Sequence, residues 1–154
     1  MPRLEIVTAI AAPPRRVFDL SLQVQTHTES MAGSGEQAID GTTTGRLRLG
    51  DQVTWQARHF GLRWRMTARV TAYDPPAGFV DEQVTGPFRR WLHRHAFEPD
   101  GIGGTVMLDT VEFAAPLGPL GVLAEVAVLN RYLHRLIRRR NAHLKAVAEA
   151  EPAG

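Results

Sequence analysis

The chain has 154 residues, 44% of them hydrophobic and 22% charged, which suits one folded domain over 1–154 and excludes a disordered chain. It contains no cysteine, which excludes a disulfide scaffold and thiolate chemistry and leads us to expect a cytoplasmic protein. The net charge of +2 is too small to indicate a nucleic-acid partner.

The first part of the chain predicts a strand followed by two short helices. Residues 3–11 are rich in Ile and Val, and the Pro-Pro pair that follows ends a strand and suits the first turn of a helix. Apolar residues at helical spacing then predict a helix over 15–23. Thr26 and Glu29 have the spacing of a capping box, which predicts a second helix over 27–32.

From residue 36 onward, strand-like segments alternate with Gly, Asp and Pro turns, and such short connections favour antiparallel hairpins. The predicted strands are 36–40, 46–50, 52–60, 62–74, 78–85, 88–98 and 105–114. Residues 120–149 then carry apolar side chains every three or four positions, which predicts one long amphipathic helix.

A long helix with one apolar face and an antiparallel sheet with one apolar face can bury those faces against each other. The predicted fold class is therefore α+β. We expect a curved antiparallel sheet of six to seven strands wrapped around the C-terminal helix, with two short helices after the first strand. A sheet that curves around a helix can also leave a cavity between the two.

Four segments resemble one known group of proteins. They are 50–61 (GDQVTWQARHFG), 73–105, 107–121 (MLDTVEFAAPLGPLG) and THTES at 26–30. They are similar to the helix-grip proteins of the SRPBCC or START-like superfamily, and within it to a bacterial ligand-binding or polyketide cyclase/dehydrase-like subgroup. The resemblance covers nearly the whole chain and implies the helix-grip fold. The superfamily includes transporters, sensors and enzymes, so the resemblance leaves the function open.

The stretch GPFRRWLHRHAF at 86–97 carries the chemistry that stands out most. On a strand, alternation places His93 and His95 on one face, roughly 7 Å apart, with the arginines between them on the other. If the next strand forms a hairpin with this one, Asp109 lies opposite the histidines, and the resemblance implies that Asp109 faces inward. These residues could orient a ligand, act in catalysis or supply metal ligands; the first interpretation is favoured, and we expect no metal and no cofactor.

The segment FVDEQV at 79–84 leaves a choice open. Alternation sends Asp81 to one face of the strand and Glu82 to the other, and each face therefore holds one carboxylate. A carboxylate that is solvated or paired with an arginine is the favoured interpretation. The alternative is an inward Asp81 hydrogen-bonded to His93 or His95, which could support proton transfer.

Aromatic and apolar residues distributed over several strands predict the walls of a cavity for an apolar molecule. The candidate ligand-binding residues are Trp55, His59, Trp64, Met66, Phe79, Trp91, Phe97, Met107 and Phe113, with His93, His95 and Asp109 as polar anchors. In the resembled fold the second short helix covers one cavity mouth, so His27 and Ser30 are further candidates.

The C-terminal helix has a basic run with no acid between Glu125 and Glu149. The favoured interpretation is a solvated helix face. The alternative is peripheral contact with an anionic membrane or an acidic protein through Arg135, Arg138, Arg139 and Arg140. Arg3 and Glu5 interrupt the first apolar residues, so we predict no signal peptide, and no segment reaches the ~18 apolar residues of a membrane span.

Three functional hypotheses follow. The first is a non-catalytic module that binds a hydrophobic small molecule, lipid-like or polyketide-like, between the sheet and the helix. The second is a cyclase or dehydratase in which His93 or His95 is the acid or base and Asp81 or Asp109 orients it. The third is a membrane or protein interaction through the basic helix, a hypothesis suggested also by relatives labelled as cell-division inhibitors.

Overall fold

The computed structural model of the chain describes residues 3–115 and 122–150. Seven strands and a long helix form the domain, with two short helices and one 3-10 turn after the first strand. The strands are β1 (Arg3–Ile10), β2 (Gln37–Gly41), β3 (Gln52–His59), β4 (Leu62–Asp74), β5 (Gly78–Thr85), β6 (Arg90–Pro99) and β7 (Thr105–Ala114). The helices are α1 (Pro14–Ser21), α2 (Val24–Ser30) and α3 (Val122–Ala150), and the 3-10 turn is Ala32–Ser34.

The strands form one antiparallel sheet in the order β1-β7-β6-β5-β4-β3-β2. Every connection except the one from β1 joins neighbours, which agrees with the short Gly and Pro turns of the sequence. This is the α+β helix-grip arrangement that the sequence predicted, and 62–74, 78–85 and 105–114 have the predicted bounds. Residues 120 and 121 of the predicted helix lie outside the described residues.

The predicted strand over 46–50 is wrong. Within this segment only Arg46 forms a bridge, and its partner is Gln23. The backbone NH of Leu47 donates to the carbonyl of Leu22, so the segment is hydrogen-bonded to the connection between α1 and α2. Gly45 and Gly50 flank the segment at positive φ and turn the chain at both ends, which prevents a longer ladder despite the alternating sequence.

The predicted capping box is also wrong. Helix α2 begins at Val24, after Gln23, so Thr26 lies inside the helix and not at its cap. The Thr26 hydroxyl hydrogen-bonds the Gln23 side chain at 3.2 Å. The helix begins earlier because Val24 is buried at its first position, and this packing outweighs the preference of Thr for the cap.

One end of the sheet packs directly against α3. Leu4 and Ile6 of β1 and Val111 and Phe113 of β7 form a buried cluster with the α3 side chains Leu133 and Ile137. A second cluster surrounds Phe18 of α1, whose ring meets those of Phe79 and Phe97 edge-on at 5.9 and 5.8 Å. These two clusters hold α1 and α3 on the same face of the sheet.

The other end of the sheet bends. Pairing between β4 and β5 shifts register twice, between Thr67 and Ala68 and between Val70 and Ala72. Bulges of this kind increase the local twist and curve a strand. The curvature leaves a cavity between strands β3–β6 and the middle of α3.

Candidate ligand cavity

The cavity has a volume of about 610 Å³, within the range of small-molecule sites. Most of its wall is apolar. The sheet contributes Trp55, Ala57, Trp64, Met66, Ala68, Val70, Phe79 and Trp91, and α3 contributes Val128, Leu129, Leu133, Leu136 and Ile137. His27, His59, His93 and His95 also line it, so nine of the candidate ligand-binding residues face this space.

Five candidate residues lie elsewhere. Phe97, Met107 and Phe113 are buried in the two packed clusters and do not line the cavity, because their strand positions face α1 and the filled end of the α3 interface. Asp109 lies behind the histidines with no exposed surface. Ser30 borders a separate crevice of about 10 Å³, which is too small for a ligand.

Two histidine–aspartate pairs form the polar end of the cavity. His93 Nε2 lies 2.8 Å from Asp109 Oδ1, and His95 Nε2 lies 2.8 Å from Asp81 Oδ2. Both bonds run diagonally across the sheet, because the residue directly opposite His93 is Asp81 and the residue opposite His95 is Asp109. Three neighbouring strands therefore contribute to one hydrogen-bonded group.

Asp81 faces the cavity and Glu82 faces the outside, which answers the question that alternation left open. Asp81 pairs in register with Val70 and His93, both of which are buried on the inner side. Its side chain is 25% exposed, toward the cavity that it lines. The favoured interpretation of this carboxylate as solvated or arginine-paired is therefore wrong, and the inward alternative is the one observed.

Helix α3 supplies the remaining partners of Asp109. Asn141 Nδ2 donates to Asp109 Oδ2 at 2.8 Å, and Arg140 Nη1 lies 3.4 Å from Asp109 Oδ1. Arg140 Nη1 also donates to Asn141 Oδ1 at 2.9 Å. Arg140 is buried, so its predicted place on a membrane-facing surface is wrong: it stands on the same helix stripe as Ile137 and Leu144, which faces the sheet.

Arg135, Arg138 and Arg139 are exposed on α3. Their contact with an anionic membrane or protein stays a prediction. Within the described residues, no helix is both long and apolar enough to cross a bilayer.

The pKa values of the two carboxyl groups are lowered. Burial alone would raise the pKa of Asp109, but the hydrogen bonds of His93 and His95 and the charge of Arg140 hold it well below its usual value. Burial likewise opposes ionisation of Asp81, and the hydrogen bond and charge of His95 outweigh it. Both groups are therefore carboxylates at neutral pH.

The two histidines have opposite pKa shifts although they are only two residues apart. Burial, followed by the charge of His95, lowers the pKa of His93 to about 4. Burial also acts against the charged form of His95, but the Asp109 and Asp81 carboxylates on either side raise its pKa. At neutral pH, His93 is therefore neutral and His95 carries more positive charge than an ordinary histidine.

These charges determine the tautomer of His93. An ionised Asp109 can only accept hydrogen bonds, so the ring hydrogen of neutral His93 must lie on Nε2. Nδ1 then carries the lone pair of a ring that lines the cavity. The result is a neutral hydrogen-bond acceptor held in place by a buried carboxylate.

Three of these side chains could in principle bind a metal ion. Donor atoms of Asp81, His93 and His95 all lie within 4.8 Å of one another. However, the two imidazole rings stack at 3.8 Å with 24° between their planes. Nearly parallel rings keep their in-plane lone pairs in two separate planes, whereas a metal requires donors that point at one centre. The arrangement suits a polar ligand group better.

A second group of polar side chains lines the cavity farther along the sheet. The Glu36 side chain is 9% exposed, and its Oε2 lies 3.3 Å from His27 Nε2. The His27 ring packs on Trp55 at 4.1 Å. His59 Nδ1 hydrogen-bonds the Tyr132 hydroxyl of α3. Burial lowers the pKa of His59 although the Glu36 charge acts to raise it.

Sequence reasoning missed Glu36, Tyr132 and Arg140 as cavity residues. Tyr132 and Arg140 follow Leu129 and Leu133 at helical spacing, and this spacing was a signal that the stripe facing the sheet includes them. Glu36 was predicted as the first residue of a strand over 36–40, but β2 begins at Gln37 and Glu36 lies in the connection before it. The alternation of the strand therefore carries no information on the Glu36 side chain.

Residues 1–149 match the model of the family described as polyketide cyclase / dehydrase and lipid transport. The chain belongs to this family, which is part of the SRPBCC superfamily. A search of curated proteins found no match.

Solved structures share the fold of this family member at low sequence identity. The Zhui aromatase/cyclase from Streptomyces sp. R1128 has a TM-score of 0.78 at 16% identity, covering 99% of this chain and 98% of its own. TTHA0849 from Thermus thermophilus has a TM-score of 0.73 at 19% identity, covering 96% and 99%. Ara h 8.0201 has a TM-score of 0.70 at 13% identity, covering 97% and 99%. At these identities the likeness establishes the fold and leaves the ligand to the site itself.

Proposed function

We propose that this protein binds a hydrophobic small molecule, lipid-like or polyketide-like, in the cavity between β3–β6 and α3. The observation that carries the proposal is the cavity itself, about 610 Å³ in volume, with apolar walls and a polar end. Folded interiors are normally packed with few voids larger than a water molecule, so a space of this size calls for an occupant. The family, whose description includes lipid transport, supports this class of ligand.

The walls and the polar end would contribute in different ways. Burial of apolar surface yields about 25 cal/mol per Å², so a guest that buries roughly 300 Å² would gain about 7 kcal/mol before the entropic costs of binding. The polar groups His93, Asp81 and Arg140 would add little net free energy because they exchange one hydrogen-bond partner for another. They would instead select the orientation of a hydroxyl or carbonyl group.

The test is to incubate the purified protein with lipid and aromatic extracts and to identify retained molecules by native mass spectrometry. A blocking variant, Met66→Trp, places a larger side chain in the cavity wall. Thr71→Trp is the matched control because Thr71 is exposed on the same strand. We expect retained apolar molecules for the native chain and for Thr71→Trp, with at least tenfold less for Met66→Trp. The absence of any retained molecule would contradict the proposal.

One specific observation favours a second candidate function, a cyclase or dehydratase. His95, paired with Asp81 and with a raised pKa, would be the group able to donate a proton to a bound substrate. Neutral His93, oriented by Asp109, would accept a hydrogen bond from the same substrate. The fold likeness to an aromatase/cyclase is compatible with this candidate function and does not establish it.

The enzyme hypothesis is tested with a poly-β-ketone substrate mimic. His93→Ala and His95→Ala should each abolish turnover, with the dissociation constant of the mimic changed by less than about threefold. Ser21→Ala, at another lining position, is the control and should retain turnover. If both histidine variants turn over at the native rate, the enzyme hypothesis is excluded and the binding function stands alone.

A further inference from the structure

Glu36 is a buried carboxylate without a hydrogen-bond donor. Its side chain is 9% exposed, and its Oε2 has no hydrogen-bond partner within the part of the chain that the structure describes. The nearest cationic candidate, His27 Nε2 at 3.3 Å, lies outside hydrogen-bond geometry. A buried polar atom left unpaired costs about 1–3 kcal/mol, and more when it is charged. Such an atom in a native cavity calls for a partner that arrives with the ligand.

The neighbouring polar side chains do not supply that donor. His27 Nε2 is within ion-pair distance of Glu36 Oε2 but does not donate to it in hydrogen-bond geometry, and the His27 ring packs on Trp55 at 4.1 Å. The His59 ring is hydrogen-bonded to the Tyr132 hydroxyl on the opposite wall. Glu36, His59 and Tyr132 all line the same cavity, so a bound molecule reaches Glu36 without entering the core.

We propose that Glu36 Oε2 accepts a hydrogen bond from the bound molecule, so that the cavity takes apolar molecules bearing a hydroxyl or a protonated amine and rejects apolar carboxylates. This inference rests on the proposed binding function. A carboxylate ligand would place a second negative charge beside Glu36 in an apolar space, where like charges repel strongly. A hydroxyl or ammonium group instead supplies the missing donor.

The charges at the other end of the cavity reinforce this selection. Asp81 and Asp109 balance Arg140 and the cationic form of His95 there, so that end offers no excess positive charge to a carboxylate. Glu36 precedes β2 and Asp81 lies on β5, so the two ends are three strand spacings apart. At about 4.8 Å per spacing this is roughly 14 Å across the sheet, which suits an elongated molecule.

The experiment compares four probes that share a dodecyl chain: dodecan-1-ol, dodecylamine, dodecanoate and dodecyl methyl ether. Each competes at pH 7.5 with a neutral fluorescent probe, N-phenyl-1-naphthylamine. For the native protein, we expect the alcohol and the amine to bind at least tenfold more tightly than dodecanoate and the ether, since a hydrogen bond to a charged group contributes that much.

Two substitutions separate the role of the charge from the role of the acceptor. Glu36→Gln should weaken the amine at least tenfold, strengthen dodecanoate and weaken the alcohol less than the amine, because an amide oxygen still accepts a hydrogen bond but carries no charge. Glu36→Leu should lower the affinity for dodecan-1-ol to the affinity for dodecyl methyl ether. Glu98→Gln is the matched control, since Glu98 is exposed and outside the cavity, and it should change nothing.

Different failures have different meanings. If dodecanoate binds the native protein as tightly as the alcohol, or if both Glu36 variants keep the native order of affinities, the assignment of Glu36 is overturned while the binding function survives. If neither the naphthylamine nor any dodecyl probe binds, the binding function and this inference are both contradicted. Circular dichroism of each variant verifies folding, and the isosteric Glu36→Gln keeps the test decisive should Glu36→Leu unfold.

Discussion

The two ends of the interface between the sheet and α3 contain the same kinds of side chain in different surroundings. At the β1–β7 end, Val111 and Phe113 are fully buried against Leu133 and Ile137. At the β3–β4 end, Trp64 remains 36% exposed beside the cavity. The difference shows that apolar residues on the inner face of a sheet contribute to stability in one place and form a binding surface in another, depending on whether the helix reaches them.

We expect the largest difference in the free energy of unfolding from substitutions in the buried hydrogen-bond network of Asp109. Asp109→Asn removes the fully buried carboxylate that pairs with His93, Arg140 and Asn141, and we expect a loss of about 3–5 kcal/mol in the free energy of unfolding. Asp81→Asn changes a carboxylate that is 25% exposed to the cavity, and we expect a loss of about 1 kcal/mol. Urea unfolding of both variants measures the difference, and equal losses would contradict it.

Truncation of aromatic side chains should separate the two ends almost as clearly. Phe113→Ala opens a hole in a closed cluster and should lower the free energy of unfolding by about 3–4 kcal/mol. Trp64→Ala removes a partly exposed wall and should lower it by about 1 kcal/mol or less while weakening an apolar ligand severalfold. Unfolding curves with and without the ligand provide both numbers. If Phe113→Ala lowers the free energy of unfolding no more than Trp64→Ala does, the proposed difference between the two ends is contradicted.

The pH dependence of stability should have opposite signs for His93 and His95. His93 has a folded pKa of about 4, so between pH 6.5 and 4 the unfolded chain binds a proton that the folded chain does not, and stability falls as the pH falls. The difference between the unfolded and folded pKa values of His93 corresponds to roughly 3 kcal/mol of stability. His95 has a raised pKa, so its contribution is present below pH 6.5 and is lost as the pH rises through the folded value.

Variants at each histidine isolate these contributions. His93→Gln should flatten the loss of stability between pH 6.5 and 4, and His95→Gln should flatten the loss above pH 6.5. The lowered pKa values of Asp81 and Asp109 add a further loss below about pH 4, outside both windows. Unfolding in urea across the pH range measures the slopes, and identical slopes for both variants would show that the histidines are not electrostatically distinct.

The smallest expected effect is spectroscopic. At pH 7, the ¹⁵N shifts of His93 should show a neutral ring with the hydrogen on Nε2, because Nε2 lies 2.8 Å from the Asp109 carboxylate. Addition of a ligand that carries a second hydroxyl at the His93 end of the cavity should move the Nδ1 signal of His93 and leave Nε2 nearly unchanged. A ring protonated on both nitrogens at pH 7 would contradict the neutral state.

Sequence reasoning predicted the fold well because the fold depends on patterns that repeat. Alternation over 62–74 and 105–114 and the helical spacing after residue 120 each extend over many residues. The segment 46–50 alternates equally well, yet it forms no strand because its backbone bonds to the α1–α2 connection. A short pattern cannot show which partner is available to it.

The site was less predictable than the fold because it depends on register and on single positions. Alternation placed Asp81 and Glu82 on opposite faces, but only the strand pairing showed that Asp81 faces the same side as His93. Arg140 stood among exposed arginines in the sequence, and its burial depends on an Asp109 partner from a distant strand. Glu36 was the first residue of the predicted strand 36–40 but precedes β2, so neither the alternation nor the pairing of that strand predicts its burial.

The contact of Arg140 and Asn141 with Asp109 also determines how α3 sits above the sheet. Two consecutive helix residues bind the two oxygens of one carboxylate, so rotation of α3 about its axis or sliding along it would remove both contacts that α3 makes with that carboxylate. Apolar side chains alone would tolerate such displacements, since dispersion contacts have little directional preference. This contact therefore fixes the position of α3 relative to the sheet. The distance between α3 and β3–β6, which the cavity requires, depends on it.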